Sequence, residues 1–400
     1  MIKTTLGKLS LNGGKYGISA PAVDYSTQLP TYLRITDIRD DGTLDLSARK
    51  SVADPKGVNY ILHENDIVFA RTGNSTGRNY YYDSRDGKLV YAGYLIKFSL
   101  DPTRVNPKYI KYYTQSKTYR DWVNSFNTGS TRGNINAKTY ESMPINLPPR
   151  NTQNAIVLIC ESIANKIRIN NHINDYLVKL ARVYFDKWMS ETEGGCVPVS
   201  TVASLNPDTY SVKEKWPTVQ YLDTSSITRG SLDSYQVIRP ETEKLPSRAR
   251  RKVIAGDIVY STVRPNQEHY GILLSPEPNV LVSTGFAVIR STNKNVCPEL
   301  LYLFLTQPGL TQSLHQIAEQ SVSTYPSIKV DDLGKLEIPV PSGDEATSLQ
   351  EILKPLFETV DTSQRESRCL IELRNTLLPR LMSGEIDVSM VDLTQLNNHL

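Results

Sequence analysis

Hydrophobic and polar positions follow two different periods along the chain, and each period occurs twice. Short runs rich in β-branched and aromatic residues, bounded by Gly, Asp, Asn and Pro, predict strands and turns, as in Gly256–Ser261 and Val280–Arg290. Two segments, from about Thr152 to Met189 and from about Ala346 to Met382, carry apolar residues at helical spacing. The pattern therefore predicts short-stranded domains, each followed by a long helix.

The same signals recur in the same order after roughly 190 residues. Tyr32-Leu33 matches Tyr221-Leu222, and Asp66-Ile67-Val68 matches Asp257-Ile258-Val259. A chain of 400 residues also exceeds the size that one hydrophobic core usually serves. We therefore predict an α+β protein made of two copies of a mixed α/β domain. The predicted segments are a first domain at 1–150, a helix at 151–192, a second domain at 193–344, a helix at 345–388 and a tail at 389–400.

The two predicted helices carry matching apolar stripes. In the first helix the stripe includes Ile156, Ile163 and Leu177, continues through Leu180, Tyr184 and Trp188, and is interrupted by the polar Asn170. In the second helix the matching positions are Leu349, Leu356 and Leu370, continued by Leu373, Leu377 and Leu381, with the polar Ser363 opposite Asn170. Equal stripes at equal repeat positions favour pairing of the two helices, and a polar pair in a seam can fix their register. Pro355 and Pro379 should kink the second helix or move its ends.

Composition narrows the classes of protein that the chain can represent. No window approaches the apolar length of a membrane span, and the first residues lack the apolar region of a secretion signal, so we expect a cytoplasmic protein. The four cysteines stand far apart and do not combine with histidines at zinc-binding spacing, which predicts neither disulfides nor a metal site. A net charge of +3 permits nucleic-acid binding without indicating it.

Motifs for catalysis are poor in this chain. Gly73–Arg78 has the wrong glycine spacing for a phosphate-binding loop, and Asn146–Arg150 only distantly imitates the motif of an amino-methyltransferase. The nearest candidate for a metal-dependent nuclease combines Asp66 with Asp86 and Lys88. Asp86-Gly87 is better explained as a tight hairpin turn. We therefore expect a chain that is not an enzyme.

Both repeats place a polar, arginine-bearing segment directly after the Asp-Ile-Val strand. The segments are 71–78 in the first repeat and 261–270 in the second. Arginine can bind guanine O6 and N7, asparagine and glutamine can bind adenine, and hydroxyl groups suit phosphates. A plain surface turn explains one such segment equally well. The repetition at the same position favours DNA contact.

Three further stretches fit the same predicted surface. They are 127–134 before the first helix, 321–325 in the second repeat, and the basic run 247–252, which can contact phosphates or form a solvated strand edge. The predicted DNA-contacting residues are Arg71, Thr72, Asn74, Ser75, Thr76, Arg78, Thr131, Arg132, Asn134, Arg248, Arg250, Arg251, Lys252, Ser261, Thr262, Arg264, Asn266, Gln267, His269, Ser323 and Tyr325.

Several of these segments resemble the specificity subunits of type I restriction-modification systems. The similarity is carried by residues 64–73, 221–228, 246–253, 256–265 and 377–386, and extends over nearly the whole chain. The resemblance implies two target recognition domains, each reading half of a split DNA sequence, separated by two antiparallel, coiled-coil-like helices. It also implies that the helices dock two modification subunits similar to adenine-N6 methyltransferases, and that endonuclease and translocase subunits join for cleavage. S-adenosylmethionine, ATP and Mg are then expected in partner subunits and not in this chain.

Three other functions remain open at this point. The chain could serve a different DNA-defence complex as its recognition subunit, or it could be a nuclease that uses Asp66, Asp86 and Lys88. It could also be a coiled-coil scaffold whose domains merely cap the helices. The scaffold hypothesis leaves the two arginine-bearing segments without a role.

Overall fold

The computed structural model describes residues 2–126, 133–192, 195–320 and 326–388. The chain forms two compact units, Met1–Asn165 with Glu372–Leu400, and Lys166–Ile371. The first unit is called unit 1 and the second unit 2. Each unit contains one of the repeated domains and a part of both long helices. Among the described residues, no helix combines the length and the apolar character needed to cross a membrane.

Domain 1, the part of the chain before the first long helix, is built from short strands and three short helices. Its strands are β1 (Ile2–Thr5), β2 (Lys15–Tyr16), β3 (Val23–Asp24), β4 (Thr31–Leu33), β5 (Lys50–Ser51), β6 (Asp66–Ala70), β7 (Asn79–Tyr81), β8 (Leu89–Tyr91), β9 (Leu95–Ser99) and β10 (Pro144–Leu147). Its helices are α1 (Pro107–Tyr113), α2 (Lys117–Asn124) and α3 (Ala137–Glu141). The strands form sheets in the orders β2-β9-β6-β7 and β3-β5-β4-β8, and β1 pairs with β10.

Local sequence explains these elements. The five residues of β6 are all buried, as a central strand requires. Helix α1 begins at Pro107, whose missing N–H costs nothing in a first turn, and the side chain of Asn106 accepts a hydrogen bond from the backbone N–H of Lys108. Ser116 and Asn136 cap α2 and α3 in the same way.

The first long helix, α4 (Arg150–Glu191), follows domain 1, and domain 2 repeats the plan of domain 1. Domain 2 contains β11 (Cys196–Pro198), α5 (Val199–Val202), β12 (Ala203–Leu205), β13 (Val219–Leu222), β14 (Ile227–Thr228), β15 (Ser231–Leu232), β16 (Gln236–Ile238), β17 (Ala249–Lys252), β18 (Asp257–Ser261), β19 (Tyr270–Leu273), β20 (Val280–Ser283), β21 (Phe286–Ser291), α6 (Pro298–Leu305), α7 (Pro308–Glu319), α8 (Val330–Gly334) and β22 (Glu337–Pro339). The second long helix, α9 (Gly343–Ser383), follows.

The sheets of domain 2 have the orders β12-β21-β18-β19 and β16-β13-β20-β17, and β11 pairs with β22. The first of these sheets matches β2-β9-β6-β7 strand for strand. The second shares with domain 1 a parallel pair of strands, because β4 runs parallel to β8 and β13 runs parallel to β20. The prediction of two repeated mixed α/β domains with long helices is therefore confirmed.

The long helices contain 42 and 41 residues, or about 60 Å each at the usual rise per residue. Helix α9 runs without a break through Pro355 and Pro379, so these prolines do not move its ends. In unit 2, Phe185 and Trp188 of α4 share a core with Leu349 and Phe357 of α9. In unit 1, the beginning of α4 packs against the end of α9, through Ala155, Ile156, Val157, Cys160, Leu378 and Leu381.

The predicted stripe is wrong at three positions. Leu180 is 43% exposed, Tyr184 is 40% exposed and Leu373 is 46% exposed. The residues that enter the core of unit 2 are their neighbours Ala181 and Phe185. The sequence offers two apolar rows that lie one residue apart on α4, and burial of the large Phe185 ring selects the second row.

The remaining predicted pairing positions lie on or beside the seam. Ile156, Ile163 and Leu349 are buried, and Leu177, Leu356 and Leu370 are half-buried. In unit 2, the buried amide of Asn170 donates hydrogen bonds to the backbone oxygen of Ser363 at 3.3 Å, to Glu366 Oε2 at 2.8 Å and to Ser367 Oγ at 3.1 Å. Asn170 therefore contacts the backbone of Ser363, and its side-chain partners are Glu366 and Ser367.

Candidate nucleic-acid interface

The arginine-bearing segment of domain 1 lies against the polar segment that precedes α3. Thr72 and Asn134 form a β-bridge, and the backbone N–H of Ile135 donates to the oxygen of Arg71 at 2.9 Å. Thr76 Oγ1 donates to the oxygen of Gly133 at 2.9 Å. These contacts join the segment 71–78 to the segment 133–135. The predicted residues Thr131 and Arg132 lie outside the described residues.

Domain 2 repeats this arrangement. Val263 and Ser327 form a β-bridge, the N–H of Arg264 donates to the oxygen of Pro326 at 2.9 Å, and the N–H of Ile328 donates to the oxygen of Thr262 at 2.9 Å. The predicted residues Ser323 and Tyr325 fall outside the part of the chain that the structure describes. In both domains, the structure thus brings together two stretches that are about 60 residues apart in sequence.

Arg71 contacts the ring of one tyrosine and the backbone of another. Its guanidinium carbon is 5.0 Å from the ring centre of Tyr16, and its backbone N–H donates to the oxygen of Tyr94 at 3.1 Å. Tyr16 is 41% exposed and Tyr94 is 61% exposed. Within the described part of the chain, the buried Nε of Arg71 has no hydrogen-bond partner. Stacking on Tyr16 holds the guanidinium group in one plane, as bidentate recognition requires.

The segment of domain 2 has a different local shape. Arg264 has a φ of 48° and Glu268 has a φ of 56°, and a single 3-10 turn, Pro265–Gln267, separates them. A left-handed backbone at two residues with side chains costs free energy that the surrounding contacts must offset. Arg264, Asn266 and Gln267 are exposed, and Thr262 is half-buried.

Other predicted contact residues are used within the loops themselves. Arg78 Nε pairs with Asp40 at 2.6 Å, and His269 Nδ1 lies 2.8 Å from the backbone oxygen of Ile227. Ser75 and Ser261 are buried, and Ser261 Oγ donates to the oxygen of Val263. Thr76 Oγ1 also bonds within its loop, to the oxygen of Gly73 at 2.8 Å. Of the other predicted residues in the two arginine-bearing segments, four are exposed and three are half-buried. The exposed residues are Asn74, Arg264, Asn266 and Gln267, and the half-buried residues are Arg71, Thr72 and Thr262.

The basic run of domain 2 forms β17, the edge strand beside β20. Lys252 forms an ion pair with Glu214 and lies 5.5 Å from the ring centre of Trp216. Burial lowers the pKa of Arg251, and Arg250 Nε donates to the oxygen of Ser247 at 3.3 Å. Among the cations of the run, Arg248 is exposed, and Arg250, Arg251 and Lys252 are half-buried. The charge of the run is therefore unevenly available to DNA.

Arg248 also lies beside the arginine-bearing segment of domain 2. Its backbone oxygen accepts a hydrogen bond from Thr284 N–H at 2.9 Å, and the neighbouring Gly285 oxygen accepts bonds from Thr262 N–H and Thr262 Oγ1, at 2.9 and 3.0 Å. The turn between β20 and β21 thus separates Arg248 from Thr262. The sequence gave no sign of this contact, because 23 residues separate Thr262 from Gly285.

The residues of the nuclease hypothesis have structural partners. Asp66 is 2% exposed and accepts bonds from Lys97 Nζ at 3.0 Å, Ser99 Oγ at 2.5 Å and the N–H of His63 at 2.9 Å. Its repeat counterpart Asp257 is completely buried and accepts bonds from Arg290 Nε at 2.7 Å and Arg290 Nη2 at 2.9 Å. A buried acid–base pair at the same strand position in both domains indicates a structural anchor.

Asp86 accepts a hydrogen bond from the hydroxyl of Tyr80 at 2.6 Å, and burial raises its pKa. The hairpin prediction for Asp86-Gly87 is wrong, because β7 and β8 belong to different sheets. A 3-10 turn, Ser84–Asp86, ends at Gly87 with a φ of 76° and leads from one sheet to the other. The described residues contain no group of three or more side chains placed to hold a metal ion.

Comparisons with known proteins agree on one family. A family model described as "Type I restriction modification DNA specificity domain" matches residues 30–178 and again residues 209–372. Each match includes one arginine-bearing segment and part of a long helix.

The specificity subunit of the HindI type I restriction enzyme from Haemophilus influenzae is 26% identical over 162 residues, which are 40% of this chain and 35% of that subunit. The chain thus spans about a third of the length of this relative. The MjaIX specificity subunit from Methanocaldococcus jannaschii is 20% identical over 303 residues, 70% of this chain and 69% of that subunit.

The crystal structure of the S subunit of a type I restriction-modification system from M. genitalium has a similar fold. It matches with a TM-score of 0.54 and 17% identity, over 95% of both chains. The doubled match to the family model covers most of the sequence, and the doubled fold corresponds to it. The chain therefore belongs to the type I restriction modification DNA specificity family, as a specificity subunit and not a catalytic one.

Proposed function

We propose that the chain recognises a split DNA sequence, with residues 1–150 reading one half-site and residues 193–344 reading the other. The observation that carries this proposal is the contact, made in both domains, between an arginine-bearing segment and the stretch of chain that precedes α3 or α8. Two separate stretches of chain form one surface in each domain. Membership of the DNA specificity family indicates that the ligand of this surface is DNA. A surface that occurs twice suits a target with two halves.

Arg71 and Arg264 are the proposed base-reading residues. The stacked guanidinium of Arg71 and the exposed side chain of Arg264 suit contacts with base edges in the major groove. Asn74, Asn266 and Gln267 are exposed beside them and can read adenine. Thr72 suits phosphates, because a hydroxyl group on the rim of a loop can donate to a phosphate oxygen. The hydroxyl of Thr262 already donates to the oxygen of Gly285 at 3.0 Å, so Thr262 is the weaker candidate.

The partners are proposed to be two methyltransferase subunits and the endonuclease and translocase subunits of the complex. One docking surface for a methyltransferase subunit is the outer face of α4 in unit 2. This face carries a row of exposed apolar residues at alternating spacings of four and three, namely Ile169, Ile173, Tyr176, Leu180 and Val183. The spacing is that of a coiled-coil seam, so the occupant is a helix of the partner.

Because the partners perform the chemistry, S-adenosylmethionine, ATP and Mg are expected to bind to them in the cytoplasm. Substitution of Val183 by Asp places a charge in the middle of the apolar row. We expect this variant to lose copurification with the methyltransferase subunit, and Asp175→Ala on the same helix to retain it. If both variants still copurify with the methyltransferase subunit, the docking surface lies elsewhere. If the chain forms dimers that Val183→Asp disrupts, the apolar row binds a second copy of the chain.

The proposed function is tested by mapping adenine methylation with long-read sequencing. Cells that carry this chain with a cognate methyltransferase subunit are compared with cells that lack the chain. A split methylated motif that depends on the chain is expected. Insertion of one heptad into both long helices is expected to change the number of base pairs between the half-sites and to leave the half-sites themselves unchanged. A change in the bases read would contradict the proposed division of roles.

A further inference from the structure

In unit 1, one carboxylate on α4 accepts three hydrogen bonds from domain 1. Glu161 accepts bonds from Lys108 Nζ at 2.7 Å, Lys111 Nζ at 2.7 Å and the hydroxyl of Tyr112 at 2.5 Å. All three donors belong to α1, and the Glu161 side chain is only 16% exposed. Charge-assisted hydrogen bonds in such a shielded place are stronger than exposed ion pairs.

The beginning of α1 is fixed to the same helix by neutral hydrogen bonds. The backbone N–H of Asn106 donates to Gln153 Oε1 at 2.9 Å, and Asn106 Nδ2 donates to Asn154 Oδ1 at 2.9 Å. The surface of α4 that receives α1 therefore carries one charge, and that charge is negative. We call the contact of a recognition domain with the long helix that follows it its seat.

The seat of domain 2 has the opposite charges. Helix α6 corresponds to α1, because each begins with a proline in its first turn after the corresponding strands. Glu299 of α6 stands at the position of Lys108, and Lys354 of α9 stands at the repeat position of Glu161. Both Glu299 and Lys354 line a cleft of about 570 Å³ in unit 2, where Lys354 lies 3.9 Å from Glu358.

The neutral contacts also differ between the seats. Cys297 replaces Asn106 before the helix, and Ala346 and Thr347 stand at the repeat positions of Gln153 and Asn154. Their side chains cannot reproduce the amide pairing of the first seat.

Domain 2 is held in addition by an arginine from α4. Arg182 Nη2 donates to Thr306 Oγ1 at 2.8 Å, and Arg182 Nη1 donates to the oxygen of Leu303, at the end of α6. The repeat position of Arg182 in α9 is Asn375. A cation at the end of a helix satisfies its last carbonyl groups, so this contact is specific to domain 2.

We propose that the inverted charges form a seating code, in which each long-helix surface accepts its own recognition domain and rejects the other. Domain 1 in the second seat would place Lys108 and Lys111 against Lys354, and domain 2 in the first seat would place Glu299 against Glu161. Bringing like charges together costs free energy. In the second seat Glu358, which lies beside Lys354, offsets a part of this cost. The first seat therefore favours a domain with lysines on its α1 helix, and the second seat favours a domain with a carboxylate at the position of Glu299.

Charge reversal in the full chain tests the code by hydrogen exchange and mass spectrometry, with no DNA or partner involved. Glu161→Lys is expected to raise the exchange rate of the α1 amides at least about tenfold and to leave the α6 amides unchanged. The triple variant K108E/K111E/E161K is expected to restore protection to within about threefold. Glu372→Lys, at an exposed position of α9, is the control and should change neither peptide.

The second seat is tested in the same way. Lys354→Glu should increase exchange in the α6 amides, and E299K/K354E should restore their protection. Unchanged protection in E161K or K354E, or a failure of either reversal to restore it, would overturn the code. A general loss of folding would raise exchange in both helices and would not be repaired by the matching reversal.

Exchange of whole domains gives the most direct test. A chain in which a second copy of residues 1–149 replaces residues 195–342 places Lys108 and Lys111 in the second seat. With K354E added, we expect at least about tenfold stronger protection of the transplanted α1 amides than without it. Equal protection in both chains would contradict the code. If the code fixes which domain occupies which seat, it also fixes the order of the half-sites, and that consequence rests on the proposed function. The exchange measurements do not rest on it, so the code and the proposed function can fail separately.

Discussion

The two recognition domains share a buried framework and differ on the surfaces that contact other molecules. In both, a buried aspartate at the start of the central strand is paired with a basic residue on the neighbouring strand, Asp66 with Lys97 and Asp257 with Arg290. In both, the same strand leads into a loop that carries an arginine. The comparison teaches that the pairing of strands is the same in the sheet that contains the buried acid–base anchor, whereas the second sheet, the loops and the seats differ.

The loops show how far the two copies have diverged. The side chain of Arg71 lies over the ring of Tyr16, in a loop that turns at Gly73 and Gly77 with φ values of 75° and 88°. The loop of Arg264 reaches a similar turn with positive φ at Arg264 and Glu268, which are not glycines. Glycine adopts this conformation at little cost, so the domain 2 loop is the more strained of the two. We infer that the two domains present their arginines differently and read different bases.

The largest expected effect comes from removing the anchor. Asp66→Ala leaves Lys97, which is only 15% exposed, without its partner, and should lower the free energy of unfolding of domain 1 by about 3–5 kcal/mol. Asp257→Ala should cost domain 2 less, because Arg290 keeps an ion pair with Asp208 at 2.7 Å. Native-state hydrogen exchange of the β6 and β18 amides separates the two domains. Asp175→Ala, an exposed change on α4, should affect neither, and an equal loss in both variants would refute the role given to Asp208.

The next effect separates the half-sites. Arg264→Ala should weaken recognition of the second half-site by about 1–3 kcal/mol, and Arg71→Ala should do the same for the first, since each would lose a bidentate base contact. Binding is measured on DNA with one half-site altered at a time. The control is Arg239→Ala, because Arg239 follows β16 at the edge of its sheet opposite β17. Equal weakening on every sequence would reduce either arginine to a phosphate contact.

The sequence was sufficient for the repeat, the long helices and the position of each arginine-bearing segment after its Asp-Ile-Val strand, because strand and helix periods and the Asp-Ile-Val signals are local. The sequence was insufficient for the buried face of α4, where two neighbouring rows of residues are equally apolar. The rows of Leu180 and Ala181 on α4 differ only in what they meet in the core of unit 2. The sequence was also insufficient for Tyr16 and Tyr94, which approach Arg71 only after β9 has paired with β2 and β6. The sequence also did not predict the ion pair between Arg78 and Asp40, because the two residues are 38 positions apart.

Lowering the pH should destabilise the seat of domain 1 more than the seat of domain 2. Burial opposes ionisation of Glu161, but the charge of Lys111 and hydrogen bonds from Lys108, Lys111 and Tyr112 lower its pKa to about 2. Since the ordinary value is 4.5, its stabilising effect is present above that pH and is lost as the pH falls toward about 2. After allowance for solvent screening, we expect a loss of about 1–2 kcal/mol in unit 1 over this range.

Domain 2 has Lys354 at the same position and should lack this acid transition. Hydrogen exchange of the α1 and α6 amides at a series of acid pH values measures the difference. Glu161→Gln should remove the pH dependence at α1 and leave the pH profile of α6 as it was. An acid transition of the same size in both helices would mean that it arises from carboxylates other than Glu161.

The smallest effect concerns the basic run of domain 2, where neighbouring cations have different environments. Arg248 is exposed beside the turn that contacts Thr262, whereas Lys252 is neutralised by Glu214. Arg248→Ala should therefore weaken binding to all DNA sequences alike and reduce the slope of log affinity against log salt by about 1. Lys252→Ala should leave that slope unchanged, because a cation already paired within the protein releases few counterions from DNA. If both substitutions reduce the slope equally, DNA displaces Glu214 from Lys252, and the whole edge strand follows the phosphate backbone.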